Sequence, residues 1–502
     1  MKNSILSPVM GFAAVLLLAC AAQAQSTDSN PNPSAPGTSK VRIVRLSQVK
    51  GVVQIDRHIG RGFENAITNL PVVEQSQIRT GVGVAEVEFE DNSSLRIAPN
   101  SLVEFPRLER EASGATASAV HLVQGTAYVS LVKQQDKKAP ANDFELIFGS
   151  RKLDLDPATH VRLDLDGSQA KLAVFDGAVR TDAENAGETI SKKKTASFQI
   201  FDKNEPVVTK DIVANPVLDE WDHNEASYHA NAASFSRFNS PYAYGLSDLQ
   251  YYGSFVNAPG CGSMWRPYFA TAGWDPYANG TWAWYGGSGY SWVSPYPWAW
   301  TPYHSGTWMN CGDAGWGWLP GRDWYGVNNV ASLPSSTTGG TAAGTAGPAR
   351  IRAPHLPAHP PGPNQPTLIA ANSKPLPASQ IATPNSFVFR KDSAGLGVPR
   401  GTLGRLDKFS HQTATRGIAQ TQIYTNVPQT GRAYGTANQG PGMTGSIYRG
   451  SPTPPSYSSG SMGSRSGGNM NSGVSAGSSA GRSGGGAPIS APVASAPVAV
   501  HR

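Results

Sequence analysis

Residues 274–284 read WDPYANGTWAW and residues 300–310 read WTPYHSGTWMN. Both carry Trp, Pro, Tyr, Gly, Thr and Trp in the same order and spacing, 26 residues apart. Two series of landmarks extend the pattern to three units. Gly253-Ser254-Phe255, Gly280-Thr281-Trp282 and Gly306-Thr307-Trp308 open them, and Trp265-Arg266-Pro267, Trp292-Val293-Ser294 and Trp318-Leu319-Pro320 close them. Both series step by 27 and then 26 residues. Each unit reads as two short aromatic strands around a Gly-rich turn, such as Tyr285-Gly286-Gly287-Ser288-Gly289. That is a β-hairpin repeat joined by Pro-Tyr segments. One hairpin is marginal alone, so stability is expected from stacking of the units.

Residues 251–325 hold 22 aromatics, including eleven of the twelve Trp. Two uses compete for them. A small hairpin domain has few core positions, and large aromatics fill them efficiently. Exposed Trp and Tyr faces also stack on sugar rings. The repeated Trp265, Trp274, Trp282, Trp292, Trp300, Trp308 and Trp318 are core candidates because the architecture requires them. Tyr290 and Trp324, outside the repeat, are the glycan-stacking candidates.

Upstream, the text is strand-like. VRIVRLSQVKGVVQI (41–55) alternates and is β-branched. Val87, Phe89, Leu95 and Ile97 alternate around Asp91-Asn92, the mark of a hairpin. Gly125 separates two short strands in AVHLVQGTAYVSLV (119–132), and Asp166-Gly167 and Asp176-Gly177 supply further turns. Turn signals about every ten residues indicate an all-β domain. Residues 217–231 read as a short helix with Leu218, Trp221 and Glu225 at helical spacing.

The order Gly51-Val52-Val53, Ile78-Arg79-Thr80-Gly81, Glu90-Asp91-Asn92-Ser93, Leu122-Val123-Gln124-Gly125 and Asp176-Gly177-Ala178-Val179 resembles the FecR-like domain over about residues 40–205. Sigma-factor regulators with this domain carry a cytoplasmic helical region and a transmembrane helix before it. Here a signal segment and a short linker are expected instead, so the resemblance implies the β-domain and not direct sigma-factor control. Residues 215–325 resemble the Tyr/Trp-rich domain of unknown function that often follows FecR-like domains in bacterial exported proteins. Asp248-Leu249, Trp265-Arg266-Pro267-Tyr268, Pro276-Tyr277, Pro302-Tyr303-His304 and Gly315-Trp316-Gly317-Trp318 carry that likeness, together with the repeat landmarks. It implies no activity.

The ends are of a different character. Lys2 followed by the uncharged apolar Ile5–Ala19 fits a secretory signal peptide. Ala22-Gln23-Ala24 predicts cleavage after residue 24, whereas Leu17-Leu18-Ala19-Cys20 offers lipidation at Cys20 as the alternative. Residues 25–39 form a polar linker. Residues 331–502 are rich in Gly, Ser, Pro and Ala and read as a disordered tail. One island in it, 386–409, has enough apolar residues to dock. The overall charge of +6 divides unevenly. The tail carries fourteen Lys or Arg against Asp392 and Asp407, a net +12 that leaves −6 for the first 330 residues. These cations are too dispersed for a nucleic-acid surface.

No enzymatic motif appears. The LDLD pairs at Asp154, Asp156, Asp164 and Asp166 place carboxylates on one strand face, as a solvated edge does. His304 neighbours Ser305, but adjacent strand residues point apart, so the two form no nucleophile–base pair. Cys261 and Cys311 are the even pair left for a disulfide in an oxidising compartment, tying the first unit to the third. The sequence thus predicts a mainly β protein: signal peptide 1–24, linker 25–39, FecR-like domain 40–210, aromatic hairpin domain 215–325 and tail 331–502. No cofactor or metal is expected. The expected role is a non-enzymatic interaction or scaffold module of the periplasm or outer envelope. Envelope components, peptidoglycan or other glycans, or another envelope protein are the candidate partners, with no nucleic acid and no transmembrane segment in the mature chain. A glycan-binding module is the alternative, and a periplasmic signalling component the third reading.

Overall fold

Along the first domain, apolar and polar residues alternate with the two-residue period of the pleat, and the computed structural model folds these stretches into one large sheet. It describes residues 41–133, 142–182, 188–201, 204–230, 244–327, 329, 354–370, 382–383 and 386–422. The signal segment, with Cys20, and the linker lie outside the described residues. All described residues belong to one compact unit, Met1–Gly435.

The sheet begins with β1 (Val44–Asp56), β2 (Glu64–Asn65), β3 (Pro71–Val72), β4 (Gln77–Glu88), β5 (Ser94–Ile97), β6 (Leu102–Arg110) and β7 (Thr116–Ser130). It continues through β8 (Asp143–Phe148), β9 (Arg151–Leu155), β10 (His160–Asp166), β11 (Gln169–Asp176) and β12 (Ala178–Thr181). It ends with β13 (Thr189–Ser191), β14 (Lys194–Gln199) and β15 (Val207–Thr209). Most pairings are antiparallel; β7 with β8 is parallel. The β4–β5 hairpin turns at Asn92, whose φ is 71°.

Gly125 does not separate two strands as expected. β7 is one continuous strand, and Gly125, at φ 86°, bends it. Before the bend β7 pairs with β6 and β8; after it, with β5 and β10. One strand thereby serves two parts of the sheet, and the positive φ is open to glycine at little cost. Leu46, Val87, Leu95, Ile97, Leu122, Val129, Leu163 and Leu172 fill the core beneath, all fully buried.

Helix α1 (Pro216–Ala230) starts with proline in its first turn, where no N–H is needed. The Asp219 carboxylate accepts the Asn215 N–H at 2.8 Å. Leu218 and Trp221 pack on the sheet against Val84, Ala98 and Tyr128. The aromatic domain follows: α2 (Leu246–Tyr252), β16 (Gly253–Ala258), β17 (Gly262–Pro267), β18 (Thr281–Tyr285), β19 (Gly289–Val293), α3 (Trp300–His304), β20 (Ser305–Asn310) and β21 (Trp316–Trp324). The three units are hairpins β16–β17, β18–β19 and β20–β21.

They do not stack in sequence order. The first and third share a four-stranded sheet through Trp265 and Trp318. The second pairs instead with β22 (Leu368–Ala370). A disulfide joins Cys261 to Cys311 with Cα atoms 6.1 Å apart, fastening the turn of the first hairpin to that of the third.

The Gly–Trp spacing has a steric basis. In each hairpin the indole of the second strand closely approaches the opening glycine, twelve residues earlier. A Cβ on Gly253 would stand 2.3 Å from the Trp265 ring, and one on Gly280 would stand 2.1 Å from the Trp292 ring. A Cβ on Gly306 would stand 2.6 Å from Nε1 of Trp318.

The expectation of disorder from residue 331 fails for residues 354–370 and 386–422. The latter form β24 (Ser386–Arg390), α4 (Leu406–Arg416) and β25 (Ile418–Gln422), and β24 also pairs with the short β23 (Ala382–Thr383). Phe387, Phe389, Leu396, Val398 and Leu406 enter the aromatic core, so the 386–409 island buries enough apolar surface to order itself. The rest of the tail lies outside the described residues.

Gly280→Ala should therefore destabilise the protein by about 1–3 kcal/mol, through overpacking against Trp292. Gly286→Ala, which meets nothing within 4 Å, should leave the urea midpoint unchanged.

Candidate functional site

The seven repeated tryptophans are interior. Trp265, Trp274, Trp282, Trp292, Trp300, Trp308 and Trp318 are each 3 % exposed or less. They meet one another and neighbouring tyrosines largely edge-on or tilted, as between Trp282 and Trp292 (5.2 Å) or Trp274 and Trp308 (5.7 Å).

Of the two glycan-stacking candidates, Tyr290 is buried and Trp324 is half-buried. Tyr290 is 6 % exposed, packs on Trp284 and donates its hydroxyl to the His359 carbonyl at 2.9 Å. Trp324 is half-buried among Tyr244, Trp300 and His304. His359, which takes the Tyr290 hydroxyl, and Tyr244, which packs on Trp324, come from far along the chain. Every Trp and Tyr of residues 251–325 is buried or half-buried. His304 is buried between Trp300 and Trp324, with Nδ1 2.7 Å from the Gly326 carbonyl. Burial pushes its imidazole down to about 3 and the Arg45 charge acts the same way, against the Gly326 bond.

The chemically dense place is where the two domains meet. Charged residues of the first sheet alternate with its core residues and face α1 and α2. Glu86 on β4 is the centre. Its carboxylate accepts from Arg96 Nε (2.9 Å), Arg400 Nη1 (2.6 Å) and Ser47 Oγ (2.7 Å), and meets His229 Nε2 at 2.9 Å. Arg45 on β1 bridges Glu88 (2.9 Å) and Asp248 of α2 (2.7 Å). Asp248 also accepts the Tyr228 hydroxyl at 2.7 Å and is gripped by Arg400 at 3.1 Å through two nitrogens. Arg96 continues to Asp222 of α1 at 2.7 Å, and His160 meets that carboxylate from the other side at 2.7 Å.

Burial alone would raise the Glu86 carboxyl, but His229, Arg400 and Arg96 outweigh it and hold the group well below the usual carboxylate range. Burial likewise opposes ionisation of Asp248, and Arg400 and Arg45 reverse it. Burial, then Asp248, push the Tyr228 hydroxyl well up.

Ser247, His229 and Glu86 line up in the order of a hydrolytic relay, with Ser247 Oγ 3.3 Å from His229 Nδ1. Its chemistry is otherwise committed. Ser247 is 4 % exposed, and Glu86 already neutralises two arginines. No group of three or more potential metal-ligating side chains occurs among the described residues. The LDLD carboxylates do not gather there: Asp164 holds Arg162 and Thr126, and Asp154 is exposed.

Backbone recognition completes the junction. Arg45 donates to the Pro297 carbonyl at 2.5 Å, and the Asn69 amide donates to Ser294 and Tyr296. Arg57 donates to the Trp284 carbonyl at 2.6 Å and lies 5.0 Å over the Tyr285 ring. Tyr285, Val293 and Trp300 belong to the first domain's apolar core.

Residues 76–180 match the family described as FecR protein, and residues 246–340 match a family of unknown function, DUF6600. The chain thus carries a FecR domain followed by a domain of unassigned role. No curated protein matches. Two crystal structures of a "putative anti-sigma factor" from Parabacteroides distasonis are similar at 10% identity and a TM-score of 0.23. The match covers 29% of this chain and 63% of theirs. No helix among the described residues is long and apolar enough to cross a membrane.

Two outcomes follow from the electrostatics. Glu86→Gln should cost about 3–5 kcal/mol in chemical denaturation, because it removes the carboxylate shared by two buried guanidinium groups, each of which keeps one other acid within 3.1 Å. His304 gives a pH signature. The unfolded imidazole takes its proton near 6.5 and the folded one near 3. Its contribution is full above pH 6.5 and is lost as the pH falls through that window, at up to about 1.4 kcal/mol per pH unit. Between pH 6 and pH 5 the wild type should lose roughly 1 kcal/mol more than His304→Gln, measured by urea titration.

Proposed function

We propose that this FecR-domain chain is an exported, non-catalytic component of the bacterial envelope, in which the FecR and aromatic domains act together as one interaction module. One observation carries the reading: the rings that might have stacked on a ligand are spent on the core, and buried charge pairs weld the two domains. Such a body is suited to presenting a defined surface rather than to processing a substrate. The signal-like segment at 5–19 supports export. The FecR match supports a place in envelope signalling, as the part that engages another envelope component.

Cell fractionation and a wall pull-down with the full chain test this. The protein is expected in the periplasmic or outer-envelope fraction. Its tryptophan emission should stay unchanged on titration with soluble peptidoglycan fragments or other glycans. Quenching by a glycan would replace the reading with a carbohydrate-binding module. Glycan hydrolysis lost in an Asp→Asn variant would overturn the non-catalytic part, and a cytoplasmic location would overturn export.

A further inference from the structure

We infer that the junction of the two domains is a docking groove for an apolar segment carrying an arginine, filled here by residues 386–410 and able to take the same segment from a second copy of this chain. The segment is bound as a ligand is bound. Its strand β24 pairs only with the flanking β23 and β25, which join no other sheet, so the stretch from β23 to β25 can leave as one piece without breaking any sheet of the body.

The body holds it by side chains and scattered backbone contacts. Trp298 Nε1 donates to the Ala394 carbonyl at 2.6 Å and the Tyr252 hydroxyl to the Val398 carbonyl at 2.7 Å. Ala394 N–H donates to the Phe269 carbonyl at 3.0 Å. Phe389 stacks on Phe269 with centroids 5.2 Å apart. Gly395 and Gly401 press so closely on the Tyr252 and Tyr228 rings that a Cβ on either would stand 2.9 Å away.

The anchor is Arg400. Its side chain is 6 % exposed and ends between Glu86 of β4 and Asp248 of α2. It also donates to the Ser47 carbonyl of β1 at 3.1 Å and lies 5.0 Å over the Tyr228 ring of α1. Four separate segments of the body thus build one arginine pocket. Charge-assisted, forked bonds of this kind are the strong and selective ones. An empty pocket would leave two buried carboxylates short of a counter-charge, which is costly. The groove therefore favours exchange of one occupant for another over standing open. Residues 371–381 join β23 to β22, and eleven residues span at most about 40 Å. That length lets the segment reach a neighbouring body, as in domain swapping.

This inference deepens the interaction reading by naming a partner, and it stands or falls separately from export. The test uses the full chain carrying Arg400→Ala and Phe389→Ala, with a labelled peptide of residues 386–410 as probe. Fluorescence anisotropy should show saturable binding to that variant, and about tenfold or greater weakening when the peptide itself carries Arg400→Ala. A folded variant that ignores the peptide, or that binds both peptides equally, overturns the proposal. Should the variant not fold, the wild type decides. Light scattering should show dimer growing with concentration after a mild denaturant pulse, and addition of excess peptide should suppress it. A mass that stays monomeric, or a dimer indifferent to the peptide, sinks the idea.

Discussion

The Glu86 carboxylate is the constraint on which the assembly turns. It sits fully buried in a strand of the first domain, and its partners come from β5, α1 and the distant segment around Arg400. A buried carboxylate without partners is untenable, so the elements that supply them are drawn to one place. Arg45 extends the same logic to α2 and the Pro297 backbone. The apolar contacts beneath are larger in total, but they are tolerant of direction. The charge pairs are not, and they set the angle at which the second domain meets the first.

The aromatic domain solves a different problem. Three short hairpins cannot bury a core of ordinary aliphatic residues, so indoles occupy the space between them. Glycine at the start of each hairpin is the other half of that solution, because the indole lies where its side chain would be. The arrangement leaves the indole N–H groups of Trp282, Trp292 and Trp308 without hydrogen-bond partners, packed in a shell of other rings. The Cys261–Cys311 bond closes the two hairpins that share a sheet and leaves the second hairpin to β22.

The legible parts were those written in local pattern. The three hairpins, the β4–β5 turn and helix α1 all announce themselves by spacing within thirty residues or so. The seven repeated tryptophans read as core because architecture, not a ligand, explains a repeat. The charge cluster was illegible for the converse reason. Glu86, Glu88, Arg96 and Arg162 alternate with buried aliphatics, and alternation alone marks such positions as a solvated face. Only the cover supplied by α1, α2 and residues around 400 turns that face into an interior. Tyr290 is a similar case: nothing near it in sequence signals that its hydroxyl will meet the His359 carbonyl.

Composition and periodicity determined by themselves that this chain is a β-sheet domain followed by an aromatic hairpin repeat, since both depend on side chains a few positions apart. The tertiary structure alone decided which polar face is buried, which aromatics are covered, and that part of a Gly- and Pro-rich tail folds back. Those outcomes depend on residues up to 353 positions apart, as between Ser47 and Arg400. Contacts of that range are made by packing and by the need to neutralise buried charge, and no local pattern encodes them.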